Sequence, residues 1–285
     1  MKRFVLLASI VAAIATASAV AVSLAPARDA GQGRARAVDV PAPIALPETV
    51  RVAAGPVAYR PLGNFSRDGK TVTPGLVDLP VAAFEIMTYQ VTRDAYAACV
   101  EEGACVDVGT GRGALPQTNV NWNDATAYAR WLSGRTGETW RLPTAAEWQR
   151  AAQDRLGDAA PDETELDPGE RMLSQYKRGV FLRGSASPAL RPSGGFGANS
   201  LGISDMGGNV WEWTDGCMEN GEVGDDGSVT TREPYCGVRV AGGRHRAAVI
   251  DFVRDASVGG CAVGLPPDHL GFRLVREGAG GTAAD

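Results

Sequence analysis

Apolar residues recur at helical spacing in three segments of the chain, and elsewhere the hydrophobic pattern is short and irregular. The first of these segments follows Thr92, whose hydroxyl is suited to cap a helix, and Gly103 is placed to end it. Tyr96, Cys99 and Val100 fall on one face, which predicts a short helix packed against a core.

The second and third predicted helices follow further along the chain. The second starts at Asn123 or Asp124. Its apolar face is formed by Ala127, Tyr128, Trp131 and Leu132. The third opens at Thr144, which together with Glu147 has the pattern of a capping box, and it continues to about Gln153.

Strands are predicted to be short and few. They lie at Phe84–Met87, Arg239–Ala241 and Phe272–Val275, the last closing the domain. Residues 154–204 lack strong periodicity, and a stretch of that length is usually functional or ordered by a ligand. The 36 glycines and 17 prolines indicate a turn-rich fold with few helices.

The N-terminal region has the composition of an export signal. Lys2 and Arg3 precede an apolar run that ends at an A-x-A pattern, so residues 1–19 are predicted to be a signal peptide. The uncharged run continues to residue 27, and an uncleaved membrane anchor is the alternative. We predict a flexible linker at residues 20–47, one domain at 48–277 and a disordered tail at 278–285.

Charge and cysteine content narrow the class of protein. The formal net charge of −5 argues against a nucleic-acid-binding surface, which needs a basic patch. In a periplasmic or secreted protein, disulfides are the default interpretation of the five cysteines, and we pair Cys99 with Cys105 and Cys217 with Cys236. A metal site at the first pair is the alternative, but no histidine flanks it. Cys261 is left as a buried, inert thiol.

Four segments carry unusual local chemistry. They are FEIM-x-x-QVT at 84–92, VNWNDA at 120–125, RLPT-x-AEW at 141–148 and GISDMGGNVWEW at 202–213, with GFR at 271–273 after them. Each has an ordinary structural interpretation, such as a helix start, a tight turn or a half-buried strand. In this order, however, they resemble the formylglycine-generating-enzyme, or sulfatase-modifying-factor, family. The resemblance implies a large irregular α+β fold, similar to C-type lectins, with little regular secondary structure.

Enzymes of that family oxidise a sulfatase cysteine to formylglycine, using oxygen and Cu(I) held by two cysteines soon after an Arg-Gly-Gly-Ser segment. The matching segment here is Ala-Gly-Gly-Arg at 241–244, and the expected cysteine positions fall near Ala247 and Phe252. No cysteine occurs between Cys236 and Cys261. Because Cu(I) prefers thiolate ligands, we expect copper and its oxidase chemistry to be absent.

The resemblance also implies a structural calcium ion in the GNVWEW turn. The matching positions are Asp205, Gly208, Val210 and Glu212. Two carboxylates and two main-chain carbonyls suit this hard cation. Pairing of the two carboxylates with arginines such as Arg273 is the alternative.

The substrate groove of the family corresponds to a local basic cluster. Arg239, Arg244, Arg246 and Arg254 are its members. The cluster either binds a carboxylate or an acidic peptide or forms an ordinary solvated face. We expect Trp211, Arg244, His245 and Arg254 to bind a peptide or small polar ligand.

The alternative function is a metal-dependent oxidoreductase acting on an exported metabolite or a sulfatase cysteine. Its iron would be held by His245 and His269, joined by Asp268 or Asp251.

Overall fold

The computed structural model describes residues 44–156, 190–250, 252–253, 262–263 and 266–277. The strands before the first helix are β1 (Thr49–Val52), β2 (Gly55–Tyr59), β3 (Gly63–Arg67), β4 (Lys70–Val72), β5 (Val77–Val81) and β6 (Phe84–Met87). The helices are α1 (Arg93–Glu101), α2 (Trp122–Thr136) and α3 (Ala145–Ala152), with β7 (Trp140–Arg141) before α3 and a 3-10 turn (Gln153–Arg155) after it. The later strands are β8 (Trp211–Val223), β9 (Val229–Gly242), β10 (Ala247–Ile250), β11 (Phe252–Val253), β12 (Ala262–Val263), β13 (Leu270–Gly271) and β14 (Val275–Arg276).

Two main sheets organise these strands. A four-stranded antiparallel sheet has the order β1-β6-β14-β7, so its neighbours are distant in the sequence. The second sheet has the order β10-β9-β8-β3-β4, and β13 adds to β8 in parallel. Two small pairs, β2 with β5 and β11 with β12, complete the sheets of the described residues. The architecture is the predicted irregular α+β fold with few helices.

The helix boundaries follow from their capping residues. Thr92 caps α1 and Thr144 caps α3 with a capping box to Glu147, both as predicted. Helix α2 begins earlier than the predicted Asn123 or Asp124. Its N-cap is Asn121, and the Asp124 side chain closes a capping box on the Asn121 amide. Asp124 is therefore a residue of the first turn, not the start of the helix.

The predicted closing strand Phe272–Val275 is wrong in detail. Strand character is confined to β13 and β14, and residues 272–274 between them belong to neither sheet. Those three residues are fully buried, because the chain passes here from the six-stranded sheet to the four-stranded one. The burial of Phe272, Arg273 and Leu274 therefore comes from this crossing and not from strand structure.

Strands β8 and β9 form a long hairpin that the sequence pattern did not reveal. The predicted strand Arg239–Ala241 is only the end of β9. Disulfides join Cys217 to Cys236 across this hairpin and Cys99 to Cys105 after α1, which confirms both predicted pairs. The sequence 211–213 does not alternate as a half-buried strand should, because Glu212 is as buried as Trp213.

The core lies between the helices and the two sheets. Its largest fully buried side chains include Trp148, Trp213, Arg273, Tyr96 and Phe65. In the described part of the chain, no helix has both the length and the apolar character needed to span a membrane. The predicted signal peptide, most of the linker, residues 157–189, Arg254, Cys261 and the C-terminal tail lie outside the described residues.

Candidate functional site

A turn of left-handed residues leads into β8. Asp205, Gly207 and Asn209 have φ angles of 61°, 73° and 64°, a conformation that Asn, Asp and Gly adopt most readily. The Asn209 side chain holds the main chain of Arg191, accepting from its N–H and donating to its carbonyl. This turn is followed directly by Trp211, the first residue of β8.

Glu212 lies at the centre of a buried polar network. Its Oε2 accepts hydrogen bonds from Trp148 Nε1 at 2.8 Å and from Arg273 Nε at 2.7 Å. Its Oε1 accepts from Gln90 Nε2 at 2.8 Å and from Arg273 Nη2 at 2.7 Å. The alternative pairing of Glu212 with Arg273 is thus present in the structure.

Three oxygens converge on the amide nitrogen of Gln90. They are Glu212 Oε1 at 2.8 Å, the Gly208 carbonyl at 3.3 Å and the Val210 carbonyl at 3.4 Å. An amide NH2 has two protons, so it cannot satisfy three acceptors fully. Gln90 Oε1 is buried and has no hydrogen-bond partner among the described residues. The structure therefore brings together three of the four predicted calcium ligands, around a residue that the sequence analysis had not assigned to the site.

The fourth predicted calcium ligand, Asp205, is used differently. It is completely buried, and its carboxylate oxygens accept hydrogen bonds from the main-chain N–H groups of Gly194 at 2.5 Å and Phe196 at 2.8 Å. Those bonds anchor the preceding loop to the turn. The carboxylate of Asp205 thus holds the loop and is not among the oxygens around Gln90.

Trp211 and His245, both partly buried, contribute to one surface, and the buried Gly243 lies against the Trp211 indole. A Cβ added to Gly243 would lie 2.8 Å from the Trp211 indole, so only glycine allows this close approach. His245 contacts the same indole edge-on, with ring centroids 4.6 Å apart. His245 Nδ1 lies 2.9 Å from the Arg246 carbonyl, which can only accept, so Nδ1 is the donor in this contact and Nε2 is an acceptor whenever the ring is neutral.

The predicted basic cluster is divided by the structure. The Arg239 guanidinium lies 3.7 Å from the Trp122 ring centroid, and that of Arg246 lies 4.6 Å from the centroid of Tyr59. Arg246 also donates to the Arg60 carbonyl at 2.7 Å. These two arginines therefore hold parts of the fold together, whereas Arg244, beside His245, is exposed.

The described residues do not supply a transition-metal site. Their His, Cys, Asp and Glu side chains form no group of three or more that could hold a metal ion. The four cysteines in the described part of the chain are in disulfides, so they offer no thiolates for Cu(I). His269 Nδ1 lies 3.5 Å from Asp268 on the surface, and this pair forms no three-ligand group with His245.

Gln90, Trp148 and Gly243 are parts of the site that the sequence did not predict, although they belong to the QVT, AEW and Gly-Gly runs. For Gln90 the available signal was a polar residue inside an apolar motif, which predicts a buried polar partner. What the sequence could not provide is the long-range pairing that brings residue 90 to residue 212.

Comparison with known families gives a match over most of the chain. A family model described as the sulfatase-modifying factor enzyme 1-like domain matches residues 36–278. A curated relative, the formylglycine-generating enzyme of Streptomyces coelicolor, is 39% identical over 117 residues, which cover 39% of this chain and 35% of that protein. The inactive C-alpha-formylglycine-generating enzyme 2 of Mus musculus is 33% identical over 167 residues, covering 56% of this chain and 49% of that protein.

Among solved structures, that of PvdO from Pseudomonas aeruginosa is similar with a TM-score of 0.51 and 22% sequence identity. The match covers 81% of this chain and 95% of that one, and at this identity it shows a shared fold. The matches to the two curated relatives span between about a third and a half of their lengths.

Proposed function

The chain belongs to the sulfatase-modifying factor enzyme 1-like family, and from this membership we propose that it is an exported domain that binds a peptide or small polar ligand without copper-dependent oxidation. The observation that carries the proposal is the contact of Trp211 with Gly243 and His245, at the segment that forms the substrate groove in the family. The fold motifs of the family are kept there, while the residues near the expected copper ligands are Ala247 and Phe252.

The cysteine chemistry supports the absence of the oxidase. A soft Cu(I) ion needs two thiolates close together, and the described cysteines are consumed in disulfides. The fifth, Cys261, would be a single donor. The mouse relative, whose name describes it as inactive, supports the idea that a member of this family can lack the activity.

The polar groups of the surface favour a ligand that carries a carboxylate. The exposed Arg244 guanidinium offers paired donors that match carboxylate geometry. Next to it, Nε2 of His245 accepts a hydrogen bond from a ligand N–H or O–H, and the partly buried Trp211 indole supplies apolar contact. Arg254, outside the described residues, is proposed as a second cation for the same ligand.

The N-terminal pattern and the disulfides support export. A basic start followed by an apolar run and an A-x-A site is typical of a signal peptide. The two disulfides are expected in a periplasmic or extracellular protein. Retention of the apolar run would tether the domain to the inner membrane.

We also propose a structural calcium ion at the start of β8. The convergent oxygens of Gly208, Val210 and Glu212 fit a hard cation, which takes six to eight oxygen ligands. The orphaned Oε1 of Gln90 would become another ligand if the amide were turned end for end. An ion bound there would hold the turn against β8, because it would coordinate oxygens from both.

The oxidase part of the proposal is tested with Cu(I) and a Cys-x-Pro-x-Arg peptide. The purified chain is loaded with the metal, incubated with the peptide in air, and the peptide is analysed for aldehyde by mass spectrometry. We expect unmodified cysteine. Stoichiometric formylglycine would overturn the proposal, and an active family enzyme in parallel shows that the assay works.

The binding part is tested with a short acidic peptide and its neutral, amidated counterpart, by isothermal titration calorimetry. We expect binding of the acidic peptide alone, weakened about tenfold or more by Arg244→Gln, since a charge-assisted hydrogen bond contributes about 1.5–3 kcal/mol. Arg130→Gln, which removes an exposed arginine from α2, is the matched control and should bind normally. Equal binding by both variants would place the ligand elsewhere.

A further inference from the structure

The Cys217–Cys236 disulfide lies in an irregular part of the β8–β9 hairpin. The register of the two strands shifts on both sides of Cys217, so ordinary ladder hydrogen bonds are interrupted there. Cys236 is exposed to solvent and Cys217 is partly buried. A solvent nucleophile therefore meets the two sulfur atoms in different surroundings.

A guanidinium group is held against one of these sulfur atoms. Arg239 Nη1 donates to Cys217 Sγ at 3.2 Å. The same guanidinium stacks on the Trp122 ring at 3.7 Å. Trp122 is itself fixed, because its indole N–H donates to the Thr214 carbonyl at 3.1 Å. The positive charge of Arg239 is therefore already beside Cys217 Sγ in the intact disulfide.

This contact matters more for a broken disulfide than for an intact one. A disulfide sulfur is a weak acceptor, whereas a thiolate forms a strong, charge-assisted hydrogen bond with a guanidinium. Arg239 therefore stabilises Cys217 as a departing thiolate. In thiol–disulfide exchange, a leaving thiol of lower pKa departs faster.

We propose that the Cys217–Cys236 disulfide is an exchange site for small-molecule thiols. The external thiolate attacks Cys236 Sγ and forms a mixed disulfide there. The Sγ–Sγ bond breaks, and its electron pair remains on Cys217 as a thiolate beside Arg239. A second thiolate then attacks the external sulfur of the mixed disulfide and leaves Cys236 reduced. Two external thiols are oxidised to one disulfide for each protein disulfide reduced.

The other disulfide provides a control within the same molecule. Cys99 is completely buried and Cys105 is 9% exposed, and both belong to the main core cluster. An attacking thiolate reaches them only after local unfolding. The exchange rates of the two disulfides are therefore compared in one sample, at one protein concentration and one redox potential.

The test exposes the full chain to glutathione for increasing times, quenches with iodoacetamide and locates the adducts by peptide mass spectrometry. We expect exchange at Cys217–Cys236 to be at least about tenfold faster than at Cys99–Cys105, with glutathione on Cys236. Arg239→Leu should slow it about tenfold, and Arg239→Lys should restore part of the rate by keeping a positive charge.

Two outcomes would overturn the proposal. One is glutathione bound mainly to Cys217, since attack would then release the sulfur that Arg239 does not contact. The other is an unchanged exchange rate in a folded Arg239→Leu variant, with folding checked by near-ultraviolet circular dichroism. If that variant does not fold, the proposal is tested by the position of the glutathione adduct in the unsubstituted chain.

Discussion

Arg273 and Glu212 form a two-point ion pair in the interior, with Nε–Oε2 and Nη2–Oε1 distances of 2.7 Å and side-chain exposures of 0% and 1%. The remaining Arg273 donors reach the carbonyls of Met87, Thr88 and Ser204. One guanidinium thus connects the four-stranded sheet, the loop before the turn and the start of β8. The ion pair is an organising contact of the site, whatever ligand the site takes.

Removing one partner of this pair should strongly destabilise the folded state. Arg273→Met leaves the Glu212 carboxylate buried without its cation, and we expect a loss of about 3–5 kcal/mol in the free energy of unfolding, measured with urea. Adding Glu212→Gln should recover part of that loss, because the neutral amide still accepts from Trp148. A loss below about 1 kcal/mol for Arg273→Met would contradict the argument.

Calcium should stabilise the domain if the turn before β8 holds it. We expect the melting temperature to rise with calcium and to fall in EDTA, with about 2.7 kcal/mol gained when free ion is a hundredfold above its dissociation constant. Gln90→Leu should remove this dependence. Asp205→Asn should keep it, because the Asp205 carboxylate is bonded to main-chain N–H groups. Identical melting curves with calcium and EDTA would remove the ion from the proposal.

Stability in acid should depend on Glu147. Burial acts to raise the pKa of this carboxyl, but its two hydrogen bonds to Arg141, at 2.7 Å, and those to Thr144 outweigh burial and lower the pKa below its ordinary value. A lowered folded-state pKa means stability that is present above the unfolded pKa of about 4.3 and is lost as pH falls through the folded value.

The measurement is urea unfolding at a series of pH values. Glu147→Gln should be less stable at neutral pH, and its stability should change less between about pH 5 and pH 3. Glu233→Gln, on the exposed part of β9, is the control and should follow the unsubstituted chain. Parallel curves for both variants would show that Glu147 does not carry this dependence.

Two glycine substitutions should affect different properties of the protein, one its ligand binding and the other its stability. Gly243→Ala places a methyl group 2.8 Å from the Trp211 indole, so the ring must move and binding of the acidic peptide should be lost. Gly134→Ala adds a methyl near the end of α2 with nothing within 4 Å, and it should stabilise the domain by about 0.5–1 kcal/mol without affecting binding. Unchanged peptide binding by Gly243→Ala would show that the ligand does not bind at this surface.

The sequence predicted those parts of the fold that depend on neighbouring residues. The caps at Thr92 and Thr144 and the Cys99–Cys105 disulfide are local patterns, and the structure confirms them. The Cys217–Cys236 pair, 19 residues apart, is confirmed as well. The predicted start of α2 was late because Asn121 had not been considered as a cap. The motif order also led to the correct family.

What the sequence could not predict are contacts between residues far apart in the chain. Gln90 meets Glu212 across 122 positions, and Arg273 meets Glu212 across 61. A period-two pattern would place Glu212 on a solvated face, but the pairing partners bury it instead. Composition likewise gives no sign that two members of the basic cluster stack on aromatic rings.

The order of strands in the four-stranded sheet has a consequence for biogenesis. Its central neighbours β6 and β14 lie at residues 84–87 and 275–276, so the sheet closes only after almost the whole domain has been synthesised. During synthesis, the earlier strands have unpaired edges that favour wrong pairings. A chaperone that holds such edges until β14 arrives would speed maturation, and truncation before residue 275 should leave an insoluble chain.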